Sequence, residues 1–196
     1  QQVWTICADL WLVGFGCLSS STGRMAADAG AVDVVVPIAV GAALPHAEVF
    51  DETKALVDIR TIFAKKKGIL FGVPGAFTPT CSKTHLPGYV DKREELAAKG
   101  IEVVACVSVN DRHVMAEWGK VMAAEGRVRM LADQSAALSR ALGVADGAYV
   151  QKLGSVRCRR FAMVINDNVV THVKVEEPSG SGAPSCSFAP DVLSLL

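Results

Sequence analysis

Three apolar runs, at residues 68–73, 101–109 and 128–132, are each followed by a stretch of helical composition that ends at a glycine, namely Gly100, Gly126 and Gly143. A continuous apolar run bounded by polar residues reads as a strand buried on both faces. Strands that alternate with helices are joined as parallel βαβ units, because a crossover helix has to cover the sheet between them. The first run follows Lys65-Lys66-Lys67 and stops at Pro74-Gly75. The helix predicted over 80–99 starts beside Pro79, whose fixed φ suits a first turn, and Pro87-Gly88 is expected to kink or interrupt it. The second run leads to Asn110-Asp111, a cap for a helix over 112–125. The third leads to a helix over 135–142.

A different signal comes later. Residues 160–165 and 169–175 flank the polar turn Asn166-Asp167-Asn168, which predicts a hairpin and hence antiparallel strands at one side of the sheet. Residues 190–196 read as a closing helix. The expected class is therefore α/β, a mixed central sheet with helices on both faces in the thioredoxin-like arrangement. A chain of 196 residues suits one such domain, placed at 37–196. The segment 1–36 is read as an N-terminal extension, with presequence, untranslated-region and vector-derived origins all left open. It begins with Gln1 rather than Met, and Met25 is an alternative start. Its apolar part, 3–18, has no basic residue before it and is short for a membrane span, and its acidic residues do not suit a mitochondrial presequence.

Composition narrows the function. Twenty basic and twenty acidic side chains cancel, so no net field attracts nucleic acid or anionic lipid. The six cysteines, Cys7, Cys17, Cys81, Cys106, Cys158 and Cys186, form no Cys-x-x-Cys pair and no zinc-like spacing. This argues against a structural metal, against a thioredoxin-type dithiol and against a secreted disulfide scaffold. A reducing compartment is the default, so the chain is read as cytoplasmic with mitochondrial or peroxisomal pools left open. Ser194-Leu195-Leu196 is similar to a Ser-Lys-Leu peroxisomal signal but lacks its basic residue.

Among the cysteines Cys81 is distinguished by position. It follows a strand-to-turn transition at the predicted start of a helix, where free backbone N–H groups and the helix dipole favour a thiolate. Thr78, three residues earlier, offers a hydroxyl able to accept a hydrogen bond from a hydroperoxide and donate one to sulfur. An ordinary buried thiol is the competing reading.

The spacing Pro74-x-x-x-Thr78-x-x-Cys81 resembles the peroxiredoxin signature. The flanking residues, Phe71 to Pro79 and Ser82-Lys83-Thr84-His85-Leu86-Pro87-Gly88, are similar to the type II, peroxiredoxin-5 subfamily. Further matches at 103–111, 117–119, 159–163 and 186–190 extend the resemblance over 37–196. It implies a thioredoxin fold, no metal or organic cofactor, and reduction of hydrogen peroxide, alkyl hydroperoxides and peroxynitrite with Cys81 as the peroxidatic residue. It also implies Arg160 as the active-site arginine, a guanidinium suited to negative charge on sulfur and on the leaving oxygen. Pro74 would shield the sulfur, and His85 would neighbour it one turn on. The segment 142–156, where the subfamily lines its pocket and meets a partner subunit, is less similar, so the geometry of a homodimer is left open.

A sulfenic acid on Cys81 requires a second thiol before further peroxide overoxidises it. Cys186, in the glycine-containing loop 179–186, resembles the resolving position of atypical 2-Cys members. Cys106 is the competitor, although it falls in an apolar strand; Cys158, among Arg157, Arg159 and Arg160, is read as incidental. The resemblance implies thioredoxin as the reductant. Two alternatives remain: a redox sensor that passes oxidation to a partner, and a 1-Cys cycle resolved by an external thiol.

Overall fold

The computed structural model describes residues 36–178 and 185–196. The N-terminal extension short of Val36, Cys7, Cys17, and the glycines of the 179–186 loop lie outside the described residues. The elements run β1 (Glu48–Phe50), β2 (Leu56–Asp58), α1 (Ile59–Phe63), β3 (Lys67–Gly72), a π turn (Cys81–His85), α2 (Leu86–Asp91), α3 (Arg93–Ala98) and β4 (Val103–Ser108). They continue with α4 (Arg112–Val121), β5 (Arg129–Ala132), α5 (Ala137–Ala141), β6 (Ala145–Asp146), α6 (Val150–Leu153), β7 (Arg157–Cys158), β8 (Phe161–Asn166), β9 (Val169–Val175) and α7 (Ala189–Leu193).

Among the described residues seven strands form one mixed sheet in the order β2-β1-β5-β4-β3-β8-β9. The three predicted apolar runs are its centre, and β3, β4 and β5 pair in parallel through their crossover helices. The predicted hairpin is β8–β9, its two strands antiparallel to each other and β8 antiparallel to its neighbour β3. Its turn places Asp167 and Asn168 at φ 45° and 64°, the left-handed pair that a twisted two-residue hairpin needs and that Asn and Asp tolerate.

Side chains alternate across this sheet, and each central strand feeds both cores. One face gathers Leu70, Val103, Ala105, Val107, Phe161 and Met163 under Ile59, Phe63 and Leu138 from α1 and α5. The other gathers Ile69, Phe71, Val104, Cys106, Ala162 and Val164 under α2, α3, α4 and α7. Phe71 and Phe161 are fully buried, and each such side chain stabilises the fold by about 1.5–3 kcal/mol relative to exposure. Gly72 is required beside Phe161: a Cβ there would lie 2.1 Å from the ring.

The expected helix over 80–99 is corrected in three places. It opens as a π turn, in which the Leu86 amide donates to the Cys81 carbonyl. Pro87-Gly88 does not end it: Pro87 falls at the start of α2, directly after the π turn, and the helix runs on to Asp91. The break is at Lys92. The helix predicted to run to 125 stops at Val121, after which Ala123 is left-handed. The β1–β2 hairpin and the β6–β7 pair carry no strong apolar run and were not expected.

Candidate active site

β3 stops at Gly72, but the Val73 amide still donates to the Val107 carbonyl, so the chain leaves the sheet only at Pro74. Pro74 is buried and lacks an amide donor. The turn that follows is braced from β4: the Asn110 carboxamide oxygen accepts from the Ala76 amide at 3.0 Å and from the Ser108 hydroxyl at 2.9 Å. Phe77 sits at φ 59°, a left-handed backbone that costs a bulky residue about 1–3 kcal/mol and is a common feature of functional turns. The Thr78 hydroxyl donates to the Gly75 carbonyl at 2.8 Å. Its one proton is therefore not directed to sulfur, contrary to expectation, while its lone pairs remain able to accept.

Cys81 then opens the π turn with its side chain fully buried. Trp118 on α4 holds the next residue, donating its indole N–H to the Ser82 hydroxyl at 3.1 Å.

Arg160 reaches the same point from β8. Phe161 pairs with Gly72, so the residue before it lies beside the end of β3 from which the Cys81 turn departs. Both terminal guanidinium nitrogens of Arg160 lie 3.5 Å from the Cys81 sulfur, and the arginine is 9% exposed. A guanidinium this dry stabilises negative charge on sulfur far more than one in water.

His85 holds that guanidinium. Its Nδ1 lies 2.9 Å from Arg160 Nη1, and because a guanidinium only donates, Nδ1 must be the acceptor. The proton then resides on Nε2, which donates to the Ser187 carbonyl at 2.9 Å. Burial, reinforced by the charge of Arg160, pushes the His85 pKa down to about 3, so the ring is neutral at physiological pH. The ring packs among Phe71, Tyr89 and Phe188. The Tyr89 hydroxyl donates to the same Ser187 carbonyl at 2.8 Å.

The C-terminal segment is fastened by Glu176. One carboxylate oxygen accepts from the Cys186 amide at 2.8 Å, the Ser187 amide at 3.0 Å and the Ser187 hydroxyl at 2.8 Å; the other accepts from the Ser185 amide at 2.9 Å. Burial would raise the Glu176 pKa, but these donors lower it on balance. The Cys186 thiol is pushed up to about 11, first by burial and then by the Glu176 charge. Cys106 and Cys158 are fully buried, and burial drives the first well above a thiol's ordinary range and the second up to about 12.

Against known proteins, residues 39–185 match the Redoxin family model. The chain is 43% identical over 166 residues to peroxiredoxin-2B of Arabidopsis thaliana, covering 83% of this chain and all of that relative. It is 42% identical over 170 residues to peroxiredoxin-2E-2, chloroplastic, of Oryza sativa subsp. japonica, covering 83% of this chain and 74% of the relative. Reduced Prx3 from Vibrio vulnificus in complex with hydrogen peroxide superposes with a TM-score of 0.75 at 42% identity, over 81% of this chain and 98% of that one. Peroxiredoxin 5 from Alvinella pompejana gives 0.71 at 36% identity, over 81% and 97%.

The chain belongs to the peroxiredoxin family. It is a thiol peroxidase, an oxidoreductase acting on peroxides, on the expected thioredoxin-like fold.

Within this peroxiredoxin the fold gathers Pro74, Thr78 and Cys81 on one turn and brings Arg160 to the sulfur from another strand. Cys186 is half-buried and tethered rather than lying free in a loop. Sequence reasoning missed Glu176 and Tyr89 altogether and carried Ser187 only within a matching stretch. It took Asn110 only as part of a helix cap, where Asp111 alone caps, and Trp118 only as part of a matching stretch. No local pattern marks Glu176, one of two adjacent glutamates before a proline. Among the described residues no group of three or more His, Cys, Asp or Glu is arranged to hold a metal, and no helix is long and apolar enough to cross a membrane.

Proposed function

We propose that Cys81 is the peroxidatic residue, with Arg160, Thr78 and Pro74 as its site. The observation that carries this reading is the pair of Arg160 nitrogens 3.5 Å from a fully buried sulfur, with a neutral His85 behind them. The Cys81 thiolate attacks one oxygen of a hydroperoxide, and the S–O bond forms as the O–O bond breaks. The electron pair leaves on the distal oxygen, which takes a proton and departs as water or alcohol, and sulfur is oxidised to sulfenic acid. Arg160 stabilises the charge that moves from sulfur to the leaving oxygen. Thr78 accepts a hydrogen bond from the peroxide, and Pro74 walls the pocket from water. Hydrogen peroxide, alkyl hydroperoxides and peroxynitrite are the substrates of this reading.

Cys186 is assigned the resolving role. Two observations favour it over Cys106: Cys186 is half-buried on the segment whose Ser187 carbonyl contacts His85, and Cys106 is locked in β4 opposite Phe71 with its thiol strongly held protonated. Thioredoxin is assigned as the reductant of the resulting disulfide, and the cytoplasm as the compartment.

Peroxide consumption coupled to thioredoxin, thioredoxin reductase and NADPH tests the scheme. Cys81→Ser is expected to abolish it, and activity near the parent level overturns the peroxidatic assignment. Cys186→Ser is expected to leave the first peroxide reduction intact and slow turnover; unchanged turnover transfers resolution to Cys106 or to an external thiol.

A further inference from the structure

The segment that carries the C-terminal cysteine is held by one carboxylate. The Glu176 carboxylate accepts from the three successive amides of Ser185, Cys186 and Ser187 and from the Ser187 hydroxyl. The backbone of Glu176 is in turn fixed to the site. The Glu176 amide donates to the Arg160 carbonyl at 2.8 Å, and its carbonyl receives the guanidinium of Arg159. A carboxylate that accepts several backbone amides binds them with charge-assisted strength, and a thiol that burial and a neighbouring negative charge keep protonated is a poor nucleophile.

We propose that Glu176 is a positioning residue that latches the segment 185–187, so that Cys186 attacks the Cys81 sulfenic acid only after the latch opens. The proposal rests on the resolving role assigned to Cys186. In the resolving step the Cys186 sulfur bonds to the Cys81 sulfur as the S–O bond of the sulfenic acid breaks, and the hydroxyl leaves with the thiol proton as water. Two reduced sulfur equivalents on the enzyme thus become one disulfide with no outside reagent beyond the peroxide already consumed. While latched, Cys186 keeps its proton and its backbone is pinned at three consecutive residues. Resolution therefore waits on opening, and the sulfenic acid persists meanwhile. Ser187, whose carbonyl accepts hydrogen bonds from His85 and Tyr89, stays with the site when its own bonds to Glu176 part.

Glu176→Gln separates the two duties of the residue. The carboxamide keeps one oxygen for Ser187 but turns an NH2 group toward donors that formerly met a carboxylate oxygen. Reduced parent, Glu176→Gln and Glu176→Ala proteins are mixed with one equivalent of hydrogen peroxide, quenched at intervals in acid, alkylated and analysed by mass spectrometry. The second-order formation of Cys81 sulfenic acid is expected to stay within about twofold of the parent in Glu176→Gln. The first-order appearance of the Cys81–Cys186 disulfide is expected to rise about five- to tenfold, with less sulfinic acid at high peroxide. Glu176→Gln carries the test if Glu176→Ala does not fold. A disulfide that forms at the parent rate or slower in the variants overturns the latch while leaving Cys186 as the resolving residue. Slower sulfenic acid formation with unchanged resolution also overturns it, and makes Glu176 a support of Arg160 only. Absence of the Cys81–Cys186 linkage in the parent overturns both the resolving assignment and the latch.

Discussion

Cys81 and Cys186 sit in opposite electrostatic settings although their segments touch the same histidine. Cys81 is fully buried and faces a cation, both Arg160 nitrogens lying 3.5 Å from its sulfur. Cys186 is half-buried and faces an anion, the carboxylate of Glu176, and its thiol is pushed up to about 11. Burial alone keeps a thiol protonated, as it does for Cys106 and Cys158, so depth does not distinguish a reactive cysteine from an inert one. The sign of the nearest fixed charge does. A cation lies beside one sulfur and an anion beside the other, an arrangement that supports the proposed order of reaction.

That contrast depends most on Arg160. Arg160→Met keeps much of the side-chain volume and removes the charge. It is expected to slow peroxide oxidation of Cys81 by about 10²–10³-fold, by analogy with loss of a preorganised transition-state donor. Stopped-flow measurement of the second-order rate checks this, and a variant within threefold of the parent breaks the comparison.

The second test addresses the histidine that both segments share. His85 titrates near pH 3 when folded and near 6.5 when unfolded. Between these values the unfolded chain binds the extra proton, so the contribution is fully present above about pH 6.5 and is lost as pH falls toward 3. From pH 6.5 to 5 the unfolding free energy is expected to fall with a slope approaching about 1.4 kcal/mol per pH unit from this group. Denaturant titrations of parent and His85→Gln across that range measure it; equal slopes in the two proteins show that His85 is not held neutral by the fold.

The smallest effect is expected at Cys106, which is fully buried on the Cys81 side of the sheet. Cys106→Ala is expected to cost about 1 kcal/mol of stability through lost packing, and to leave thioredoxin-linked turnover within about twofold. A large loss of turnover makes β4, not the C-terminal segment, the source of the second sulfur.

Much of the scaffold and half of the site were legible in the chain. The apolar runs that became β3, β4 and β5, the turn at 166–168 and the strand-end position of Cys81 are local patterns, set by side-chain period and turn chemistry over a few residues. Pro74, Thr78 and Cys81 are close in sequence, so one turn carries them. Arg160 was reached through resemblance and not through the residues themselves, since an arginine beside an apolar strand is ordinary. The π turn was invisible because a π and an α start share the same composition. The short strands β1, β2, β6 and β7 carry too few apolar positions to show a period.

What the sequence by itself determined, then, is a βαβ core with a cysteine just past the end of a strand. The tertiary structure alone decided which charges meet that cysteine. Arg160 is 79 residues from Cys81 and the Ser187 carbonyl 102 residues from His85. The contacts exist because β8 pairs antiparallel with β3 and the C-terminal segment folds back over α2. No period or spacing encodes such meetings, because the free energy that brings them together comes from burying the apolar faces of the sheet, and the buried charges are carried along.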